Sequence, residues 1–306
     1  MDAGQIAGVR SFNRTATERV GALGDRFLGR RRPLGQARLL WEIGPDGVDL
    51  RSLRSRLGLD SGYVSRLLRA LEQDGLVTVA AGTADRRVRR AVLTSRGRKE
   101  RAELESRSEA FAASVLAPLS ERQRTELVDA MQTVERLLTA SMIDVRVENP
   151  TSTAARWCLR QYFLELHERF DAGFDPARSI SADTDELTPP AGLLLVARLR
   201  GAPIGCGALK LHGGAPAELK RMWVSPSVRG LGLGRRLLRE LEDRADASGA
   251  RAVRLETNRS LTEAIGLYRA AGYREVAAFN DEPYAHHWFE KRLRYSPATS
   301  RRRKTR

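Results

Sequence analysis

The stretch "VSPSVRGLGLGRRLL", residues 224–238, decides how the second half of this chain folds. It sets Gly230, Gly232 and Gly234 within five residues, flanks them with arginine, and then starts an apolar-periodic run. Glycine inside a regular element costs about 1 kcal/mol against alanine. Its repeated use predicts a turn whose backbone something must approach closely. The arginines on either side predict an anion. A glycine turn that opens a helix supplies such a site. First-turn N–H groups lack an intrahelical acceptor, and the helix dipole favours negative charge.

The neighbourhood of this turn reads as α/β. Three strand candidates precede it: "LLLVARLR" (193–200), "PIGCGALKL" (203–211) and "AELKRMWV" (217–224). "RGAP" between the first two is a hairpin signal. After the turn come a helix to about residue 247, a strand "AVRLET" (252–257), a helix "LTEAIGLYRAAG" (261–272) and a strand "HHWFEKRL" (286–293). A helix over about 151–170 and a loop to 190 stand in front. The predicted order of the sheet region, β-β-β-α-β-α-β, implies one mixed sheet. Two familiar phosphate loops fit less well. A P-loop needs Gly-Lys-Ser/Thr, and here Arg235 and Arg236 follow Gly234. A Rossmann turn needs G-x-G-x-x-G; Glu256 stands where its ribose-binding acid would, but antiparallel hairpins precede the glycines.

The spacing Arg229-x-x-Gly232-x-Gly234 resembles the pyrophosphate loop of the GNAT acyltransferase superfamily. "ELKRMWVSPSVRGLGLGRRLL" and "LETNRSLTEAIGLYRAAGYREV" resemble that family's fourth strand, loop and helix, and its fifth strand with the following helix. The resemblance spans about residues 145–294. It implies acetyl-CoA or another acyl-CoA as co-substrate and a small amine or amino-acid-like compound as acceptor. It implies that Arg229, Gly230, Leu231, Gly232, Leu233, Gly234 and Arg235 hold the pyrophosphate. The backbone of Met222, Trp223 and Val224 would pair with the pantetheine arm, and Asn258 would touch the cofactor or cap the helix near Ser260. Tyr268 matches the usual acid and Glu218 a common base position. By the same layout, residues 165–190 and 279–288 would wall the acceptor.

The first half reads as helical with one hairpin. Apolar spacing predicts helices over 4–28 and 34–43. Asp49 is placed to cap a helix with Leu50, Leu53 and Leu57 on its buried stripe, stopped by Gly58. Asp60 or Ser61 caps the next, whose stripe is Val64, Leu67, Leu68 and Leu71. Two short helices around a glycine turn predict a helix-turn-helix. The second leaves Ser61, Gly62, Tyr63, Ser65, Arg66 and Arg69 off the stripe, a face suited to phosphates and base edges. Strand-like runs at 76–80 and 88–94 flank a turn with Arg86 and Arg87, and Arg89 follows. Residues 51–101 hold 13 Lys+Arg against 5 Asp+Glu, which favours phosphate neutralisation.

The segment "DSGYVSRLLRALEQDGLVTVAAGTADRRVRRAVLTSRGR" resembles the winged helix of MarR-type transcription regulators. Asp85-x-Arg87 and the following Leu93-Thr94-x-x-Gly97 carry the match. This resemblance implies a homodimer that sets two recognition helices in successive major grooves of double-stranded DNA. Long helices over 97–117 and beyond Ser120, a capping box with Gln123, carry Leu104, Phe111, Val115, Leu127, Met131, Val134, Leu138 and Met142. Either a second subunit or the chain's own second half covers these stripes.

Composition sets outer limits. The 306 residues carry a formal charge of +15, which suits a polyanionic partner. Two cysteines and four scattered histidines predict neither a disulfide framework nor a metal site. No apolar run approaches the length of a membrane span or signal core, so a cytoplasmic protein is expected. The resulting expectation is a two-domain chain. Residues 1–143 form a mostly α winged helix-turn-helix with dimerisation helices. Residues 144–294 form an α/β GNAT fold with a mixed, mostly antiparallel sheet, and 295–306 a disordered basic tail. Both halves are expected to work, as promoter binder and N-acetyltransferase. Alternatives are a non-catalytic acyl-CoA sensor on a regulator, or an enzyme with a winged-helix dimerisation module.

Overall fold

In the computed structural model, residues 2–20, 27–29, 32–81, 89–180, 182–213 and 215–293 are described. The chain divides into two compact units, Met1–Met131 and Gln132–Arg306.

The first unit contains α1 (Ala3–Arg19), α2 (Leu34–Ile43), β1 (Val48–Asp49), α3 (Leu50–Leu57), α4 (Ser61–Gln73), β2 (Val77–Ala81), β3 (Arg89–Leu93) and α5 (Ser95–Leu116). The helix α6 (Glu121–Ser141) follows. Helix starts are chemically marked. The Asp49 carboxylate accepts from Arg51 and Ser52 N–H at 2.8 and 2.9 Å, and Asp60 accepts from Tyr63 N–H at 2.9 Å. Ser120 and Gln123 exchange the expected capping-box bonds. Leu39, Leu40, Leu53, Val64, Leu68, Leu71 and Leu93 form one core that locks the helix pair onto the β-hairpin. Burying each such side chain contributes about 1.5–3 kcal/mol.

One expectation here is corrected. The helix predicted over 4–28 stops at Arg19, and Phe27–Gly29 is a single 3-10 turn with Leu28 in the left-handed region. Ile6, Val9 and Phe12 of α1 are exposed, so the apolar stripe of that helix is uncovered, and residues 21–26 of the expected helix lie outside the described residues.

The second unit adds β4 (Ile143–Glu148), α7 (Thr153–Arg169), β5 (Gly192–Leu199), β6 (Ala202–Lys210), β7 (Ala217–Val224), α8 (Leu233–Ala247), β8 (Ala252–Thr257), α9 (Thr262–Ala270), β9 (Arg274–Val276) and β10 (His287–Arg292). Its sheet runs β4-β5-β6-β7-β8-β10-β9. Every pairing is antiparallel except β7 with β8. The predicted strand order lacked β4 and β9. "IDVRVE" alternates apolar and polar residues, and pairs with β5 as an edge strand. β9 is three exposed residues, too short to show a period.

Two irregularities shape the sheet. The β6–β7 register shifts between Cys206 and Ala208, so Cys206 faces Trp223 while Ala208 faces Lys220. Arg221 takes up the slack at φ 56°, and its carbonyl accepts from the Cys206 thiol at 3.3 Å. A non-glycine residue in that region costs roughly 1–2 kcal/mol. Then β7 and β8 pair only at Ala217–Val253 and Glu218–Arg254. Beyond those two positions the strands part. Helix α8 packs Leu233, Leu237, Leu238 and Leu241 into the core beside them.

Candidate acyl-transfer site

The glycine turn ends where α8 begins. Gly230 and Gly232 have φ of 83° and 77°, and Gly232 is the helix N-cap in the left-handed conformation. A β-carbon there would meet nothing within 4 Å, so backbone conformation selects glycine. The peptide nitrogens of the first helical turn lack intrahelical acceptors and stand at the positive end of a 15-residue helix.

They face a cleft of about 550 Å³. Met222, Trp223, Val224, Arg229, Gly230, Gly232, Leu233, Gly234 and Arg235 line it. Leu231 packs against the core instead. Asn258 lies elsewhere: its amide donates to Tyr284 O at 2.7 Å and its carbonyl accepts from Ser260 N–H at 2.9 Å. It braces the loop ahead of α9.

A second, smaller cavity of about 90 Å³ adjoins the cleft. Tyr162, Leu166, Met222, Leu261, Ala264 and Tyr268 line both. The parting of β7 from β8 places the boundary there. Phe170, Phe174, Tyr284, Lys220, Arg221, Glu256 and Asn258 also border the smaller cavity. Its wall residues from Leu166 to Ile180 and from Glu282 to Ala285 fall within the two stretches that sequence assigned to the acceptor.

Tyr268 sits on α9, buried, at the junction of the two spaces. Burial pushes its phenol well above the ordinary range, and Tyr162 and Glu256 push the same way. The hydroxyl is therefore held protonated. Glu218 borders neither space. Arg254 bonds it at 2.7 Å, His212 lies at 3.2 Å and Lys220 at 3.4 Å. Burial pushes its carboxyl up, but the bond from Arg254 and the charges of Lys220, Arg254 and His212 outweigh that and hold it below its ordinary value.

Two carboxylates border the cavity. Glu282 accepts from the Ser179 hydroxyl and from the Ile180 and Tyr284 N–H groups. The other is Glu256. One oxygen pairs with Lys220, and the other is buried without a hydrogen-bond partner among the described residues. The Tyr162 hydroxyl registers Glu256 and Arg221 together. Burial drives its pKa up to about 12, the Arg221 guanidinium pulls it down, and Glu256 pushes it up. Sequence reasoning had noticed Glu256 only as a ribose-binding acid. Its pairing with Lys220 crosses two strands, which spacing along one chain does not show. Glu165 and Arg169 were also missed, although their i, i+4 spacing was visible. Glu165 takes Arg229 through both oxygens at 2.6 Å and the Trp223 indole N–H at 2.9 Å.

A family model of acetyltransferases, the GNAT family, matches residues 157–273, and one of the MarR family matches residues 35–88. An IAA acetyltransferase of Azospirillum brasilense is 39% identical over 123 residues, covering 40% of this chain and 79% of that protein. The chain belongs to the GNAT acetyltransferase family. The N-alpha-acetyltransferase RimI of Mycobacterium tuberculosis is 32% identical over 142 residues, covering 45% of this chain and 84% of the relative. An acetyltransferase structure from Streptococcus agalactiae superposes with a TM-score of 0.40 at 19% identity, covering 50% of this chain and 99% of the other.

This GNAT domain shares its chain with a MarR-type winged helix. On that unit, Ser61, Gly62, Tyr63, Arg66 and Arg69 of α4 are exposed. Ser65 is half-buried and donates to Ser61 O at 2.7 Å. The Arg66 guanidinium lies 5.8 Å from the Tyr63 ring centre. Arg89 is exposed at the start of β3, while Arg86 and Arg87 lie outside the described residues. Among the described residues no helix is long and apolar enough to cross a membrane.

Proposed function

We propose that this chain binds promoter DNA through residues 1–143 and, through residues 144–294, transfers an acetyl group from acetyl-CoA to a small amine or amino-acid-like acceptor. One observation carries the enzymatic half: the buried, partnerless oxygen of Glu256, set in a cavity that meets the glycine-turn cleft at Tyr268. An unpaired buried carboxylate oxygen costs about 1–3 kcal/mol or more, and an ammonium donor relieves that cost.

The first-turn N–H groups of α8, with Arg235, fit a diphosphate; they have free approach and positive potential. Acetyl-CoA, when bound, supplies an acyl carbonyl activated as a thioester. Glu256 takes a proton from the acceptor ammonium on its open oxygen, while its other oxygen is paired with Lys220. Tyr268 holds its proton at the junction and delivers it to the departing sulfur. Glu256 is our choice of base over Glu218, whose carboxylate already pairs with Arg254, Lys220 and His212.

The regulatory half rests on the exposed Arg66, Arg69 and Arg89 and on uncovered apolar helix faces. Phe12 of α1 and Met131 and Leu138 of α6 are 49%, 53% and 54% exposed, a surface suited to a second copy of the chain. The deciding experiment follows free thiol release from acetyl-CoA against a panel of amines and amino acids, with calorimetry of acetyl-CoA in parallel. Uptake with turnover supports the transferase. Uptake without turnover on any acceptor leaves a sensor domain, and no uptake removes both.

A further inference from the structure

The smaller cavity carries two cations, and they are not equivalent. Lys220 is committed to Glu218 and Glu256. Arg221 has no carboxylate partner among the described residues, although it is half-buried and borders the cavity. Its guanidinium carbon lies 4.7 Å from the Phe163 ring centre and 5.8 Å from that of Tyr162. Two aromatic faces hold it flat and shield it from water. The left-handed backbone at Arg221 sets where the side chain leaves the strand, and the Cys206 thiol bond fixes that bulge.

The opposite sign is present in the same small space. The free oxygen of Glu256 calls for a donor. The Arg221 guanidinium bonds the neutral Tyr162 hydroxyl but no carboxylate among the described residues, and it suits a planar, bidentate anion. Leu219, Phe170, Phe174 and Tyr284 add apolar and aromatic wall. Glu282 and Asn258 also border the space, but their polar atoms are engaged by Ser179, Ile180, Ser260 and Tyr284. A volume of about 90 Å³ admits a small skeleton and no long polyamine or peptide body.

We infer that the acceptor is a small free amino acid with an apolar side chain, its ammonium on Glu256 and its carboxylate held by Arg221. This rests on the transferase reading above, and narrows its acceptor to a zwitterion. Arg221 is then the specificity-determining residue. Simple amines lack its anion, and peptide N-termini have an amide in place of it.

The test compares matched acceptors on the full chain: L-alanine, L-valine and L-leucine against ethylamine, isobutylamine and isoamylamine, and against the amino-acid amides. Losing one partner of a desolvated charge pair predicts that kcat/KM favours the amino acids by about 30-fold or more. R221Q is expected to bring that ratio to within about threefold, chiefly through the amino-acid KM, and R221K to recover only part of it. Calorimetry of each amino acid on the protein loaded with CoA gives a readout independent of turnover.

Binding that needs Arg221 but yields no transfer upholds the inference about the ligand while removing the transferase. Transfer to amines or amides as fast as to amino acids overturns the inference and leaves the transferase standing. Wild-type protein that binds no amino acid in the presence of CoA overturns it as well. The wild-type ratio decides the matter even if the R221Q protein fails to fold.

Discussion

Arg229 and Glu165 are joined through both carboxylate oxygens at 2.6 Å, inside the cleft that faces the glycine turn. The arginine expected to meet a diphosphate already has an anion. Arg229→Ala should weaken acetyl-CoA uptake by roughly tenfold, because it uncovers the Glu165 charge in an anion site. Adding Glu165→Gln should recover most of that loss in a calorimetric double-mutant cycle. If no recovery appears, Arg229 meets the diphosphate directly.

Replacing Tyr268 with Phe keeps the buried ring and removes the proton. Turnover should fall by about 10²-fold or more with acetyl-CoA affinity retained. Glu256→Gln should lower turnover similarly while leaving the coenzyme cleft intact. Stopped-flow thiol release together with calorimetry separates these outcomes; an equal fall in affinity would assign Tyr268 to packing.

Glu218 gives a pH signature of stability rather than of catalysis. Its carboxyl is held below the ordinary 4.5 in the folded chain, so the folded state binds fewer protons than the unfolded one in acid. The stability it contributes is complete above about pH 4.5 and disappears as pH falls through the depressed value. Glu218→Gln should cost about 3 kcal/mol at pH 7 by uncovering Arg254 and Lys220. Urea melts at descending pH should show the gap closing in acid. A constant gap refutes the assignment.

Arg66 and Arg69 stand on the exposed face of α4. Replacing either with Ala should weaken DNA binding and flatten the plot of log affinity against log salt by about one unit for each phosphate left without its arginine. Fluorescence anisotropy over a salt series measures that slope. An unchanged slope assigns these arginines to solvent.

Much of this architecture was legible because local chemistry is local in sequence. Asp49, Asp60 and Ser120 announced helix starts through caps that reach two or three residues. The Thr94-x-x-Gly97 pattern has an equally local cause. Thr94 Oγ1 caps α5 at Gly97 N–H, 3.0 Å away, and a β-carbon on Gly97 would sit 2.0 Å from Leu76 O. The pairing of Lys220 with Glu256 was not legible, since it depends on which strands become neighbours. The bulge at Arg221 was hidden for the same reason, because a register shift exists only relative to a partner strand. "IDVRVE" is a different case: its alternation is visible in the sequence, but it straddles the expected boundary between the two halves at 143/144.

The brief parallel contact of β7 with β8 has a kinetic corollary. Six residues line both chambers where these adjoin, and each chamber has room of its own, so neither occupant has to vacate for the other to enter. Donor and acceptor can reside together, so initial-rate plots should give intersecting families of lines, the mark of a ternary complex. A protein that instead carried the acyl group on itself between visits would draw them parallel.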